Sequence, residues 1–212
     1  MTKNSSTNGT GVNNGAFVKV PLDVVLGNGH WSDSAHDEAR MNPACRRFLM
    51  SLPALRRRRR DRALNITATE LAEHLGVSSR EVWRWIGTAG AWIAPVGRPL
   101  RKIELSDELH HPERWAKVPA AIVLDRSLAP QDVIIVAYAL WSEYDSAKTW
   151  RETPTAIPLR EFAEVLGHKL QPVKPGKPAR GEKNAGRWVN KAVASGRLKR
   201  IEGRPHSYVV LP

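Results

Sequence analysis

At 212 residues the chain is long enough for one medium or two small domains, each able to bury its own core. Its 33 Lys+Arg against 21 Asp+Glu leave a formal charge of +12, a field that favours a polyanionic partner, with nucleic acid first and an anionic membrane surface second. No run approaches the roughly 18 apolar residues of a membrane span, and the single cysteine, Cys45, excludes an intramolecular disulfide and any Cys₂His₂ or Cys₄ zinc site.

Residues 1–15 are polar and rich in Gly and Asn, without the apolar core of a secretory signal, and read as a disordered tail on a cytoplasmic protein. Ordered sequence is expected from Phe17-Val18-Lys19-Val20-Pro21. A first helix follows between Pro43 and Pro53, with Phe48, Leu49 and Leu52 on one face. Cys45 lies beside Arg46 and Arg47, which lower a thiol pKa when they face it; without a histidine partner it reads as a helix thiol. Arg56-Arg57-Arg58-Arg59-Arg60-Asp61-Arg62 is the densest charge run. It suits phosphate contact, and its spacing fits a helical extension of the first helix; a solvated connector is the alternative.

Thr67-x-x-Glu70 and Ser78-x-x-Glu81 are capping boxes that open two short apolar-periodic segments. Leu75-Gly76-Val77 makes a tight turn between them, with Gly76 free to take a positive φ. Two short helices joined in this way are the sequence form of a helix-turn-helix, whose second helix enters the major groove. The segment Trp92-Ile93-Ala94, the turn Gly97-Arg98-Pro99 and the stretch Leu100 to Leu105 then form a β-hairpin.

The second half repeats this plan. Trp115-Ala116-Lys117-Val118-Pro119 echoes Phe17 to Pro21, Phe162-Ala163-Glu164-Val165-Leu166-Gly167 echoes Leu71 to Gly76, and Gly203-Arg204-Pro205 echoes Gly97 to Pro99. Three blocks in one order imply two copies of one domain. The expected division is a tail at 1–15, a first domain at 16–108, and a second at 109–212 with a basic Pro/Gly-rich insertion at 168–182. In the second copy Val133, Ile134, Val136, Ala137, Leu140 and Trp141 form the apolar stripe of a long helix. Its recognition helix is expected from about Lys183 to Ser195, with Trp188, Val189 and Ala192 inward.

A three-helix core followed by a hairpin resembles the winged-helix fold. The fold class expected is therefore mainly α with small β-hairpins (α+β), arranged as two tandem winged-helix domains. With its Lys-Val-Pro segment ahead of a helix-turn-helix, the chain resembles bacterial plasmid-type replication initiators and related winged-helix regulators. That resemblance implies binding to double-stranded DNA, as a transcriptional regulator or as a replication or partition factor of a plasmid or other mobile element, with self-association on DNA left open.

Candidate contacts follow from the register. In the first copy they are Ser78, Ser79, Arg80, Trp83 and Arg84 on the second helix, since Arg donates bidentately to guanine and helix-start serines bind phosphate. Trp83 and Trp85 cannot both face the core; aligning Trp83 with Val189 of the second copy favours Trp83 as the partly packed ring. The turn adds Arg98, Arg101 and Lys102, and the arginine run adds Arg56, Arg57 and Arg58. The second copy offers Lys177, Arg180, Lys183, Asn184, Arg187, Asn190, Lys191 and Arg204. From Lys169 to Arg204 eleven Lys/Arg stand against two acidic residues, a segregation that favours nucleic acid over mere solvation. A protein-interaction adaptor and an RNA-binding module are the alternatives. No catalytic constellation, metal-ligand cluster or cofactor motif is evident, so neither enzyme activity nor a cofactor is expected.

Overall fold

Phe17–Pro21 forms a strand, β1, that runs directly into a short helix, α1 (Leu22–Leu26). The computed structural model describes residues 17–27, 41–56, 61–148, 157–168, 170, 179–203 and 208–210. The tail expected over 1–15 lies outside them, as do Arg57, Arg58, Lys177 and Arg204.

The next element is α2 (Pro43–Leu55). Asn42 starts it by accepting the Cys45 N–H at 3.0 Å, and Pro43 occupies the first turn, where its missing N–H costs nothing. Pro53 does not mark the end as expected; it sits in the last turn, and the helix stops at Leu55 with Arg56 already extended. The helical extension expected through the arginine run thus fails at its first residue.

After β2 (Ala63–Leu64) come α3 (Ala68–Leu75) and α4 (Ser79–Ala89). Both expected capping boxes are formed. Thr67 Oγ1 accepts the Glu70 N–H at 3.2 Å while Glu70 accepts the Thr67 N–H at 2.8 Å, and Ser78 and Glu81 exchange the same pair of bonds at 3.2 Å each. Gly76 ends α3 at φ +67°, and the Val77 N–H returns to the Ala72 carbonyl at 3.0 Å. That left-handed step lets the chain reverse within two residues.

A 3-10 turn, Gly90–Trp92, leads to β3 (Ile93–Val96) and β4 (Lys102–Leu105), then to one helical turn, α5 (Asp107–His110). The second half continues with β5 (Trp115–Pro119), α6 (Ala120–Leu124), α7 (Pro130–Lys148), α8 (Leu159–Val165), α9 (Arg180–Ala194), β6 (Leu198–Arg200) and β7 (Tyr208–Val210). The whole is mixed α+β. Helices dominate, and the sheets of the described residues are small and antiparallel, in the orders β1-β5, β2-β4-β3 and β6-β7.

Helix α7 shows why the two halves share one core. Val133 through Ala139 are all buried, as expected of a helix that is apolar all round rather than along one stripe. It packs on α2, α8, α9 and β5, while α2 packs on α4, α6, α7 and β1. Phe48 of α2 meets Trp85 of α4 with ring centroids 5.8 Å apart, and Phe162 of α8 meets Tyr208 edge-on at 5.9 Å.

The two Lys-Val-Pro echoes pair with each other, a contact the sequence reading left unassigned. In the β1–β5 ribbon Lys19 stands opposite Lys117, Val18 opposite Val118 and Val20 opposite Ala116. Each lysine swings over the aromatic ring of the other strand, Lys19 Nζ 4.5 Å from the Trp115 ring centre and Lys117 Nζ 4.3 Å from that of Phe17. The antiparallel pairing gives the ribbon a local two-fold axis at the Lys19–Lys117 pair. The cation–π contacts offset the repulsion of two like charges in cross-strand register.

Candidate nucleic-acid interface

Helix α4 has two distinct faces. Val82, Trp85, Ile86 and Ala89 are buried, whereas Arg80, Trp83, Arg84 and Gly87 are exposed. The exposed set follows the i, i+3, i+4, i+7 spacing of one helical stripe. Nothing lies within 4 Å of where a Gly87 side chain would begin, so the stripe is open along its length. Among the described residues, the Arg84 side chain keeps only a long contact to Glu81, at 3.7 Å.

This resolves the tryptophan pair against the expectation that Trp83 packs. Trp85 is 6% exposed and Trp83 39%, because Trp85 shares the phase of Val82 and Ala89 and reaches Phe48. Trp85→Ala is expected to cost about 3–5 kcal/mol in urea unfolding, whereas Trp83→Ala changes stability by no more than about 0.5 kcal/mol. Equal losses would overturn this assignment.

The start of α4 is more occupied than the sequence suggests. Ser78 Oγ accepts from Glu81 N–H and also donates to the Glu81 carboxylate at 3.0 Å. These bonds from Ser78 hold the Glu81 carboxyl below its ordinary range, so it stays charged where a phosphate would sit. Ser79 is half-buried. The stripe, not the cap, is the accessible part of the helix.

In α9 the buried residues Ala185, Val189 and Ala192, with half-buried Trp188, repeat the phase of Val82, Ile86, Ala89 and Trp85. Burial therefore aligns Trp188 with Trp85, which replaces the alignment of Val189 with Trp83. In this register Lys183 takes the place of Arg80 and Arg187 that of Arg84, and all four are exposed. Helix α9 begins at Arg180, three residues before the expected Lys183, because Glu182 accepts the Ala179 N–H at 2.9 Å and fixes the first turn there. Asn184 is half-buried. Asn190 accepts from Arg200 at 3.1 Å, and Lys191 lies 3.6 Å from the buried Asp132 carboxylate and 5.0 Å from the Trp188 ring.

The remaining candidates are scattered. Arg98 and Arg101 are exposed on the turn between β3 and β4, which the Arg101 N–H closes onto Val96 O at 3.0 Å. Lys102 is paired with Glu104 at 2.6 Å. Arg56 donates to the Asp61 carbonyl at 3.3 Å and also bonds His110 Nδ1. Burial, then the Arg56 charge, holds His110 below its ordinary pKa.

Sequence reasoning missed a second set of cations. Arg46 and Arg47 are 1% and 8% exposed. Arg46 donates to Val24 O at 2.9 Å and to Val165 O, joining the end of α1 to the end of α8. Arg47 donates to the carbonyls of Val123, Asp125 and Leu128 at 3.3, 2.7 and 2.6 Å. Two arginines inside an apolar helix, with no acid in that helix, were the available signal, since buried Arg requires partners. Both are engaged by those carbonyls, and burial pushes the Cys45 thiol up to about 12; the lowered pKa that adjacent arginines would cause is not found. Comparison with protein-family models, curated proteins and solved structures finds no match.

Proposed function

We propose that the chain is a sequence-specific double-stranded DNA-binding protein built from two winged helices, with α4 and α9 as recognition helices and the β3–β4 and β6–β7 turns as wings. The observation that carries this reading is the α4 stripe, in which Arg80, Trp83 and Arg84 flank a bare Gly87 and are held outward by a buried face. The α3–Gly76–α4 turn supplies the helix-turn-helix arrangement, and the β2-β4-β3 order supports a strand–helix–helix–hairpin unit. Lys183 and Arg187 provide a second stripe in matching phase.

Arg80 and Arg84 suit the O6/N7 edge of guanine, and Trp83 suits a thymine methyl. Gly186 takes the position of Trp83 in α9, so the two stripes differ and the preferred site is composite rather than palindromic. A role in transcriptional regulation, or in replication or partition of a plasmid, follows from the resemblance to replication initiators and rests on it.

Selection of bound duplexes from random DNA, followed by footprinting, tests the reading. The expected result is one enriched site with two unlike halves about 10 base pairs apart. About eight phosphate contacts give a slope of log K against log salt near about −7. No enrichment, a slope near zero, or tighter binding to structured RNA overturns it.

A further inference from the structure

The turn between α6 and α7 touches the ends of elements in both halves. Asp125 accepts the Ser127 N–H at 3.0 Å and its hydroxyl at 2.6 Å, which makes the turn a closed local unit. Arg47 of the first half grips it from beneath through three carbonyls. From the turn, two contacts lead outward. Arg126 Nε donates to His74 O at 3.1 Å, at the last turn of α3. Its Cδ lies 3.3 Å from where a Gly76 Cβ would stand, so the arginine stem lies directly against the turn that aims α4. The Asp125 carboxylate pairs with Arg197 at 2.6 Å, and the Arg197 N–H closes onto Ala192 O at the end of α9. Hydrogen bonds from Ser127, then the Arg197 and Arg47 charges, hold the Asp125 carboxyl below its ordinary range, so it stays ionised for that pair.

The four residues Asp125 to Leu128 thus connect the end of α3 and the Gly76 turn that precedes α4 to the end of α9. The connection is reciprocal, since Arg46 of the first half holds the Val165 carbonyl at the end of α8, the element before α9. A helix turn held only by its own half is free to adjust to DNA; one held by the other half is not.

We propose that this turn fixes the separation and angle of the two reading helices, with Arg126 as the positioning residue, so that the half-sites are recognised only at one spacing. This rests on the DNA-binding reading above. It goes further in assigning spacing specificity to a residue that touches neither reading stripe.

The test uses the full chain and the duplex that it selects, with two base pairs inserted or removed between the footprinted halves. Such a change displaces one helix from its half-site, at a loss of roughly 10²- to 10⁴-fold, the scale of that helix's two bidentate base contacts. The wild type is expected to show that loss, and Arg126→Ala a loss at least about threefold smaller across the same duplexes. Arg126→Lys keeps the charge but not the Nε donor beside Gly76, so it is expected to retain near-normal affinity while losing spacing discrimination. Arg126 is exposed, and both variants are expected to melt with the wild type. Without DNA, amide exchange at Gly76 to Ser78 should rise in Arg126→Ala.

Wild-type spacing discrimination in both variants, or unchanged exchange at the turn, overturns the positioning role. A wild type that footprints two halves but tolerates any spacing overturns it as well, leaving DNA binding intact. A wild type that selects no duplex removes the DNA reading itself, and this proposal with it.

Discussion

Arg80→Glu combined with Arg84→Glu is expected to lower affinity for the selected duplex by about 10²- to 10⁴-fold, the sum of two bidentate base contacts. The loss should fall mainly on one half-site, the one that α4 reads, and should be smaller on non-specific duplex. Stability should fall by less than about 1 kcal/mol, the scale of exposed like charges three and four residues apart. Both side chains are exposed, Arg84 gives up only its long contact to Glu81, and a carboxylate at position 80 lies in the first turn, where the helix dipole favours it. Competition binding against scrambled duplex, with a thermal melt of the same preparation, separates recognition from folding. Unchanged discrimination in a folded double variant would mean that α4 is not a reading helix. A partner-protein contact retained by the same variant would favour the adaptor reading.

Arg47→Ala is expected to cost about 3–5 kcal/mol in urea unfolding, since each buried carbonyl left without a donor costs about 1–3 kcal/mol. Three carbonyls lose their donor at once, and the space left behind lies where α2 meets the Asp125–Leu128 turn. For a domain of this size the melting temperature should drop by roughly 2–4 °C per kcal/mol. Arg47→Met refills the volume without the hydrogen bonds, so it should recover part of the packing but not the whole loss. A cost below about 1 kcal/mol for the alanine variant would show that water replaces the guanidinium there and that the turn holds itself. The same variant should also widen spacing tolerance if the turn positions both helices.

Much of the local architecture could be read directly, because its causes are local. Thr67-x-x-Glu70 and Ser78-x-x-Glu81 satisfy helix-start donors within four residues, Gly76 supplies a positive φ where its neighbours cannot, and Gly97 to Leu100 turns a hairpin. Each structure depends on atoms a few residues apart, and each formed. Val82 and Ala192 likewise follow from helical phase. The tryptophans did not yield so easily. Trp83 and Trp85 are two residues apart; the phase of Val82 and Ala89 favours Trp85, the alignment of Trp83 with Val189 pointed the other way, and it is Trp85 that meets Phe48 on α2.

Helix ends were harder, because competing stops are nearly equal in strength. Pro53 is tolerated in the last turn of α2 since little helix remains for it to disrupt, and the arginine run turns extended at Arg56. At α9 the start moved to Arg180 because Glu182 reaches back to Ala179, a half capping box without a hydroxyl and hence without the usual sequence signature.

The capping chemistry and the Gly76 turn were sufficient to place the helical turn before α4, and the echoing blocks pointed to the two strands, β1 and β5, that pair with each other. Tertiary structure alone decided how the two halves of the chain meet. The Lys19–Lys117 register, the buried Arg46 and Arg47, and the reach of Arg126 to His74 all join residues between 22 and 119 positions apart. Such contacts leave no periodic trace, since their partners are backbone carbonyls that every residue carries. A sequence shows the arginine; only the fold shows which carbonyls converge on it.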